Sequence, residues 1–490
     1  MEEGVITAAA ANGHFELIKW LRTIGCPWGY GVAQAAIKGH LDILQWASEN
    51  GCLLNHRVLY YAAENGHLSI VKWAIAKGLS ELVKVVSVAA LGGHLGIVSW
   101  LLENGCPFGK AMEEAARGGN LDIIKLLHAK GCVWSESTCR YAAMGGHWSV
   151  LKWLRANGCP WDSNTVDAAV GSGNLEMIQW IFENGLVGDE YACESAVKIG
   201  SLPILQFLYA NRNPMSEDDI ILEAAKRGHL DIAKWVRAIG CKWDKNVCNY
   251  AARNGCFETL KWLREQGCPW SSKTTLFAAQ QDLFEILKWA VNNGCKLDKN
   301  VAITAALVGN FEMLKWAYDK GCQVDELACS GAASYGYLSM IQWLRDRGCP
   351  WDKSTCASAA RYGCLKTLKW VHENGCPWDE ETFKDACIEG RIPILQYLKD
   401  NNCPWNKDAC TAAACYGKLK TLQWLRANGC TWEEETILKS INRERWHVTT
   451  WCLENGCPIP QQAVAELEQR GHKSLAEIAK MKLSEINSQK

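Results

Sequence analysis

The sequence predicts an all-α protein, a solenoid of about eighteen 27-residue helix–turn–helix units. Three observations carry that expectation. The first is a repeat. Gly-Cys recurs with its cysteine at Cys26, Cys52, Cys106, Cys132, Cys159, Cys241, Cys268, Cys295, Cys322, Cys349, Cys376, Cys430 and Cys457, and Leu79, Leu186, Asn213 and Cys403 hold the same register. Cys26 to Cys457 is 431 residues in 16 intervals, a period of 27. Self-similarity at that spacing marks a stacked array of supersecondary units. The second is a helical pattern, as in Leu175–Asn184, where Leu175, Ile178, Trp180, Ile181 and Phe182 are apolar. The third is a set of punctuation columns that begin and end two helices in every unit.

Each element of the unit has its own signal. Asn55, Ser135, Asp162, Asp189, Ser216, Asp244, Ser271, Asp298, Asp325, Asp352, Asp379 and Asn406 fall at one position, where a short polar side chain caps the first helix. Glycines such as Gly39, Gly66 and Gly146 end that helix, and the glycine before each turn cysteine ends the second. An Ala column (Ala9, Ala35, Ala62, Ala89, Ala115, Ala142) lets neighbouring first helices approach closely. A Trp column runs along the second helices, including Trp20, Trp46, Trp73, Trp100, Trp153, Trp180, Trp262 and Trp289. A patchier one follows the cysteine, including Trp28, Trp134, Trp161, Trp270 and Trp351. Large rings at fixed register against small residues are expected to form the core between units.

The strings AAENGHLSIVKW (Ala62–Trp73), EAAKRGHLDIAKW (Glu223–Trp235) and AARNGCFETLKWLREQG (Ala251–Gly267) resemble the core of ankyrin repeats. The GCPWD turn at Gly158–Asp162 and Gly375–Asp379 is similar to short ankyrin-type repeats of large DNA viruses and some unicellular eukaryotes. An ordinary ankyrin unit has 33 residues and a β-hairpin finger. Here about six residues are missing at that place, so the fingers are expected to be shortened or absent. No F-box-type tail is recognised. Residues 1–459 read as about seventeen units. Residues 460–490 read as a final, more polar helix pair that caps the stack, with Gly471, His472 and Ile478 in register.

Composition narrows the function. The chain has 52 basic and 53 acidic residues, a net charge of −1, which gives no general attraction to nucleic acid or anionic membrane. No run of 18 apolar residues spans a membrane. The start lacks the basic and apolar segments of a secretory signal, so an intracellular, cytoplasmic or nuclear, setting with reduced cysteines is expected. Gly105–Ala111 falls short of a phosphate-binding loop in spacing and lacks its Ser or Thr. Among the 25 cysteines no C-x-x-C pair occurs, so the zinc-knuckle spacing is missing. Cys139, Cys193, Cys248, Cys329, Cys356 and Cys410 lie seven residues after the turn position. Equivalent cysteines of adjacent units are too far apart to bridge, whereas a bridge within a unit, Cys132 to Cys139, stays open. His14, His40, His67, His94, His147, His229 and His472 alternate with Asn120, Asn174 and Asn310 in one column. That pattern predicts a hydrogen-bonded ladder between units rather than a metal site.

The two positions between Ala-Ala and the helix-ending glycine have no common character, so packing does not dictate them. The ankyrin resemblance implies that they face a partner. Lys198, Lys226, Arg227 and Arg253 are then expected to form a basic strip, and Tyr335, Tyr362 and Tyr416, with Arg361, an aromatic one. Tyrosine and arginine are frequent anchors of protein interfaces. The reading is a monomeric, non-enzymatic scaffold that binds a protein or peptide along a helical groove, with no cofactor and no metal. A viral origin implies a host target. The alternative is a metal- or redox-responsive thiol protein.

Overall fold

A computed structural model describes residues 4–28 and 30–488. Among them there are helices and turns and no β-strand, as the sequence predicts. Contacts cluster in two compact units, Met1–Trp243 and Asp244–Lys490. Within each, antiparallel helix pairs stack in chain order, first helix on first helix. Ser163–Gly171 with Leu175–Glu183, and Lys353–Tyr362 with Leu365–Glu373, are typical pairs. One first helix, Tyr30–Ile37, winds as a 3₁₀ helix. The last pair is Gln461–Gln469 and Lys473–Ser488. No helix among the described residues is long and apolar enough to cross a membrane.

Most caps form where the sequence places them, but Ser216 donates its Oγ–H to Asp219 and makes no cap bond. Asp189, Asp244, Asp325 and Asp352 each accept from the backbone N–H two residues on, at 2.8–3.0 Å. At Asp162, Ser271 and Asp379 a Thr at the third helical position answers from its side chain, which closes a capping box. Asn55, Asp298 and Asn406 accept in the same way, but their helices start at Arg57, Val301 and Asp408. The left-handed turn that ends the first helix is kept even without glycine: Asp282 and Glu444 stand there with φ near +57° and +58°.

The core differs from expectation in one respect. The Ala column is buried as expected, but the Trp column is not the centre of the stack. Ile70, Val71 and Ala74 are fully buried, whereas Trp73, Trp153, Trp262 and Trp289 are half-buried and Trp20 is 57% exposed. The second helix turns its aliphatic residues inward, so the tryptophan two or three positions further lies at its margin. There it receives the turn tryptophan of its own unit edge-on: Trp28 on Trp46, Trp161 on Trp180 and Trp270 on Trp289, with centroids 5.6–5.9 Å apart. The preceding helix adds an arginine. Arg155, Arg264 and Arg345 lie 4.0–4.2 Å above Trp161, Trp270 and Trp351. Their Nη1 atoms also donate to the carbonyls of Cys159, Cys268 and Cys349. At some turns that lack tryptophan, an aromatic ring replaces the arginine. Phe182 packs on Phe207, and Tyr318 packs on Trp343.

Candidate functional site

The cysteines are held by this frame. All but Cys256, Cys364 and Cys415 are buried, and all 25 carry free thiols. The turn thiols donate to the carbonyl of the preceding unit's capping residue: Cys295 to Ser271, Cys376 to Asp352 and Cys430 to Asn406, each at 3.3 Å. Cys139 does not face Cys132. It and the other residues of the second cysteine column meet the turn residue of the next unit, 20 residues on, which is a cysteine except at Cys193, where Asn213 stands there. Cys329 and Cys349 bring their sulfurs to 3.6 Å, and Cys139, Cys248 and Cys356 point at the carbonyls of Cys159, Cys268 and Cys376. The period relates equivalent columns, and a single unit relates Cys132 to Cys139, but neither relates residues 20 apart across adjacent units. Burial pushes Cys132, Cys193, Cys241 and Cys295 up to about 11 and Cys403 up to about 12. Thiols in that range stay protonated at neutral pH and are poor nucleophiles and metal ligands. Among the described residues, no three His, Cys, Asp or Glu converge as a metal site would need.

The histidine column forms the expected ladder in part, for the Nε2 of His229 is buried without a partner. Nε2 of His67, His94 and His147 meets the carbonyl 30 residues earlier, at Ile37, Glu64 and Arg117, at 2.8–3.1 Å. Asn120 does the same with its amide, at 2.7 Å to Ala90 and 3.0 Å to Leu91.

The basic residues named from sequence divide between the two compact units, so they are described separately. In the first, Lys198 pairs with Glu194 at 3.2 Å, and Glu223 receives both Lys226 at 3.3 Å and Arg227 at 2.6 Å. Burial raises Glu223, but the hydrogen bonds from Arg227 and Lys226 outweigh it and hold the carboxyl below its usual value. Glu190 and Asp219 line the same cleft, so these cations are locally neutralised. The sequence does carry a signal for this outside the columns, because each glutamate lies three or four residues before its cation on the same helix. In the second unit, Arg253 is exposed and lies 5.4 Å from the Phe277 ring.

The tyrosines do come together. Tyr335 and Tyr362 are 62% and 53% exposed, and their rings lie 6.4 Å apart and within 16° of parallel. Tyr337, absent from the sequence-based set, stacks beside Tyr335 at 5.8 Å. Its signal was its place in the histidine column. Arg361 reaches Asp385 at 3.7 Å, and Tyr416 is exposed further along the chain. The variable pair is not uniformly open, since Ile388 is 6% exposed and packs inward.

A second feature escaped sequence reading. Helix Leu82–Leu91 starts early, directly after Glu81, whose φ is +85°. The next first helix, Ala111–Arg117, starts late, after Gly109. The offset opens a groove of about 680 Å³ with Val83, Val88 and Leu91 as its apolar wall and Lys84 and Lys110 at its rim. Gly109 has φ +55°, and a Cβ there would lie 2.5 Å from Val83 Cγ1, so the missing side chain is what keeps the groove open.

No curated protein matches the chain. Among solved structures, the crystal structure of the pentatricopeptide repeat protein PPR10 from maize is 14% identical, covers 99% of this chain and 93% of that one, and has a TM-score of 0.31. PPR10 in complex with an 18-nt psaJ RNA element is 14% identical with coverages of 99% and 94% and a TM-score of 0.35. The human ASB11 ankyrin repeat domain is 20% identical, covers 38% of this chain and 98% of that one, and has a TM-score of 0.30. A family model described as ankyrin repeats in three copies matches residues 32–112 and again residues 59–137, and ankyrin repeats are thus detected in that part of the chain.

Proposed function

We propose that the protein is an interaction scaffold without chemistry of its own, and that it docks another protein across its first helices. The observation that carries this reading is the groove between Leu82–Leu91 and Ala111–Arg117. It is apolar, open, and lies inside the segment that matches ankyrin repeats. The occupant it fits is an amphipathic peptide segment. An apolar anchor fills the space over Val83, Val88 and Leu91, and an adjacent acidic residue meets Lys110, which has no ion partner among the described residues. The thiols that burial holds protonated, Cys132 and Cys403 among them, fit a structural rather than a reactive use of cysteine. A viral or protist source, to which the GCPWD turn is similar, would make the docked protein a host one.

The test is affinity capture from the native cellular setting with the full chain and with Gly109→Ala, which fills the groove. Proteins retained by the wild type and lost by a folded Gly109→Ala chain support the reading. An identical set of retained proteins rejects it.

A further inference from the structure

The edge formed by the turns between first and second helices changes character along the chain. In the first compact unit the residue after the helix-ending glycine is mostly a histidine or asparagine that serves the ladder. Between residues 337 and 445 that position reads Tyr337, Cys364, Arg391, Lys418 and Arg445, before His472 in the last pair. Two residues later, at the second position of the following helix, earlier units carry carboxylates such as Asp231, Glu258, Glu285 and Glu312. The later ones carry Ser339, Lys366, Pro393, Lys420 and His447. An acid there complements the positive end of the helix, whereas a lysine opposes it. Lys366 and Lys420 therefore break a local rule without helping the fold, which marks residues kept for another purpose.

The cations are available. Arg391, Lys420 and Arg445 are exposed and form no ion pair among the described residues. Lys418 keeps a distant contact with Glu389 at 3.9 Å, and Glu444 is engaged by Arg470 at 3.1 Å. The chain's net charge of −1 conceals this edge, because charge is segregated along the array.

Beside these cations lie the exposed rings of Tyr335 and Tyr362, near parallel and 6.4 Å apart, with Tyr337 against the far side of Tyr335. Two base-stacking intervals of ~3.4 Å come close to that separation. A row of cations recurring unit by unit fits a regular polyanion, and flat exposed rings fit ligands with planar faces. We propose that this edge binds single-stranded nucleic acid, with bases stacked on Tyr335 and Tyr362 and backbone phosphates held by Arg391, Lys418, Lys420 and Arg445. A duplex offers no free base faces to the rings, and an acidic peptide offers charge without planar groups.

Fluorescence anisotropy with labelled single strands of about 15 nucleotides, one RNA and one DNA of the same mixed sequence, tests this on the full chain. Binding is expected on the order of 10⁻⁶ M in low salt, with log K falling against log salt at a slope of about −3, as for four phosphates. Tyr335→Ala with Tyr362→Ala should weaken binding about tenfold or more while leaving the slope. Arg391→Gln, Lys418→Gln and Arg445→Gln together should flatten the slope by about two. That split separates stacking and charge from loss of fold, which circular dichroism of each variant checks. Gly109→Ala should bind strands as the wild type does, so this test and that of the groove fail independently. Equal affinity for RNA and DNA, or preference for either, supports the proposal. Binding no tighter than about 10⁻⁴ M, equal binding of a duplex, equal displacement by poly-glutamate, or unchanged binding by both variants overturns it.

Discussion

Asn213 donates from Nδ2 to the backbone carbonyl of Asp189 at 2.6 Å. This is the bond that turn cysteines make more weakly from sulfur, as Cys295 does to Ser271 at 3.3 Å. Asn213 stands in the cysteine register, so this position of the column carries a side-chain donor, whereas Leu79 and Leu186 fill theirs with bulk alone. Asn213→Leu should leave the Asp189 carbonyl without this donor and cost about 1–3 kcal/mol. Asn213→Cys should stay within about 1 kcal/mol of the wild type, because it restores a donor and removes an Oδ1 that is buried without a partner. Denaturant unfolding of the two variants decides it: equal losses would reduce the column to a packing site.

The marginal tryptophans have a measurable signature. Trp270 carries Arg264 on one face at 4.0 Å and meets Trp289 at 5.9 Å, 75° from parallel. Trp270→Ala should cost about 1.5–3 kcal/mol from lost ring and cation contacts, less than the ~3–5 kcal/mol of a fully buried ring. A double-mutant cycle between Trp270 and Trp289 should return a coupling of about 0.5–1.5 kcal/mol. No coupling would mean that the edge contact contributes nothing.

What could be read from the sequence followed from what the period encodes. Asp162, Gly66, Ala62 and His94 each perform one local task that recurs every unit, so their columns announced caps, turns, close approach and the ladder. What the period could not encode is how different columns meet. Cys329 finds Cys349 rather than a residue of its own column, and Trp73 lies at a margin although it recurs as regularly as Ile70. Lys226 and Arg227 were visible as cations, but their neutralisation by Glu223 depends on side-chain reach. The groove at Val83 arises from two helix starts that deviate in opposite directions, a feature that a consensus averages away.

Gly109→Ala should act on binding more than on the stack. The new Cβ would fall 2.5 Å from Val83 Cγ1, and the left-handed backbone at Gly109 disfavours any side chain. About 1–2 kcal/mol of destabilisation is expected from the strain, whereas a partner anchored in the groove should lose about 2 kcal/mol or more of binding free energy. Calorimetric titration with a captured partner, alongside thermal unfolding, compares the two losses. Binding that falls no more than stability does would place the anchor elsewhere.

Stability should carry a pH signature traceable to Asp167. Burial first, then the carboxylates of Asp189 and Asp162, push Asp167 up to about 7, with Lys198 pulling the other way. Its Oδ1 is buried without a hydrogen-bond partner. In an unfolded chain the same group ionises near ~3.9. The folded value is the higher one, so the fold favours the protonated form. Its stabilising effect is complete below about pH 4, declines between about pH 4 and 7, and is gone above that window. Asp167→Asn removes this dependence, so the variant should match the wild type in acid and gain stability over it as pH rises to about 8. The difference between the two chains in denaturant unfolding cancels the other titrating groups. Lys198→Met should move the window upward, because it removes the one named cation that favours the ionised form. A wild-type minus variant difference that does not change with pH would show that Asp167 titrates in the folded chain as it does in the unfolded one.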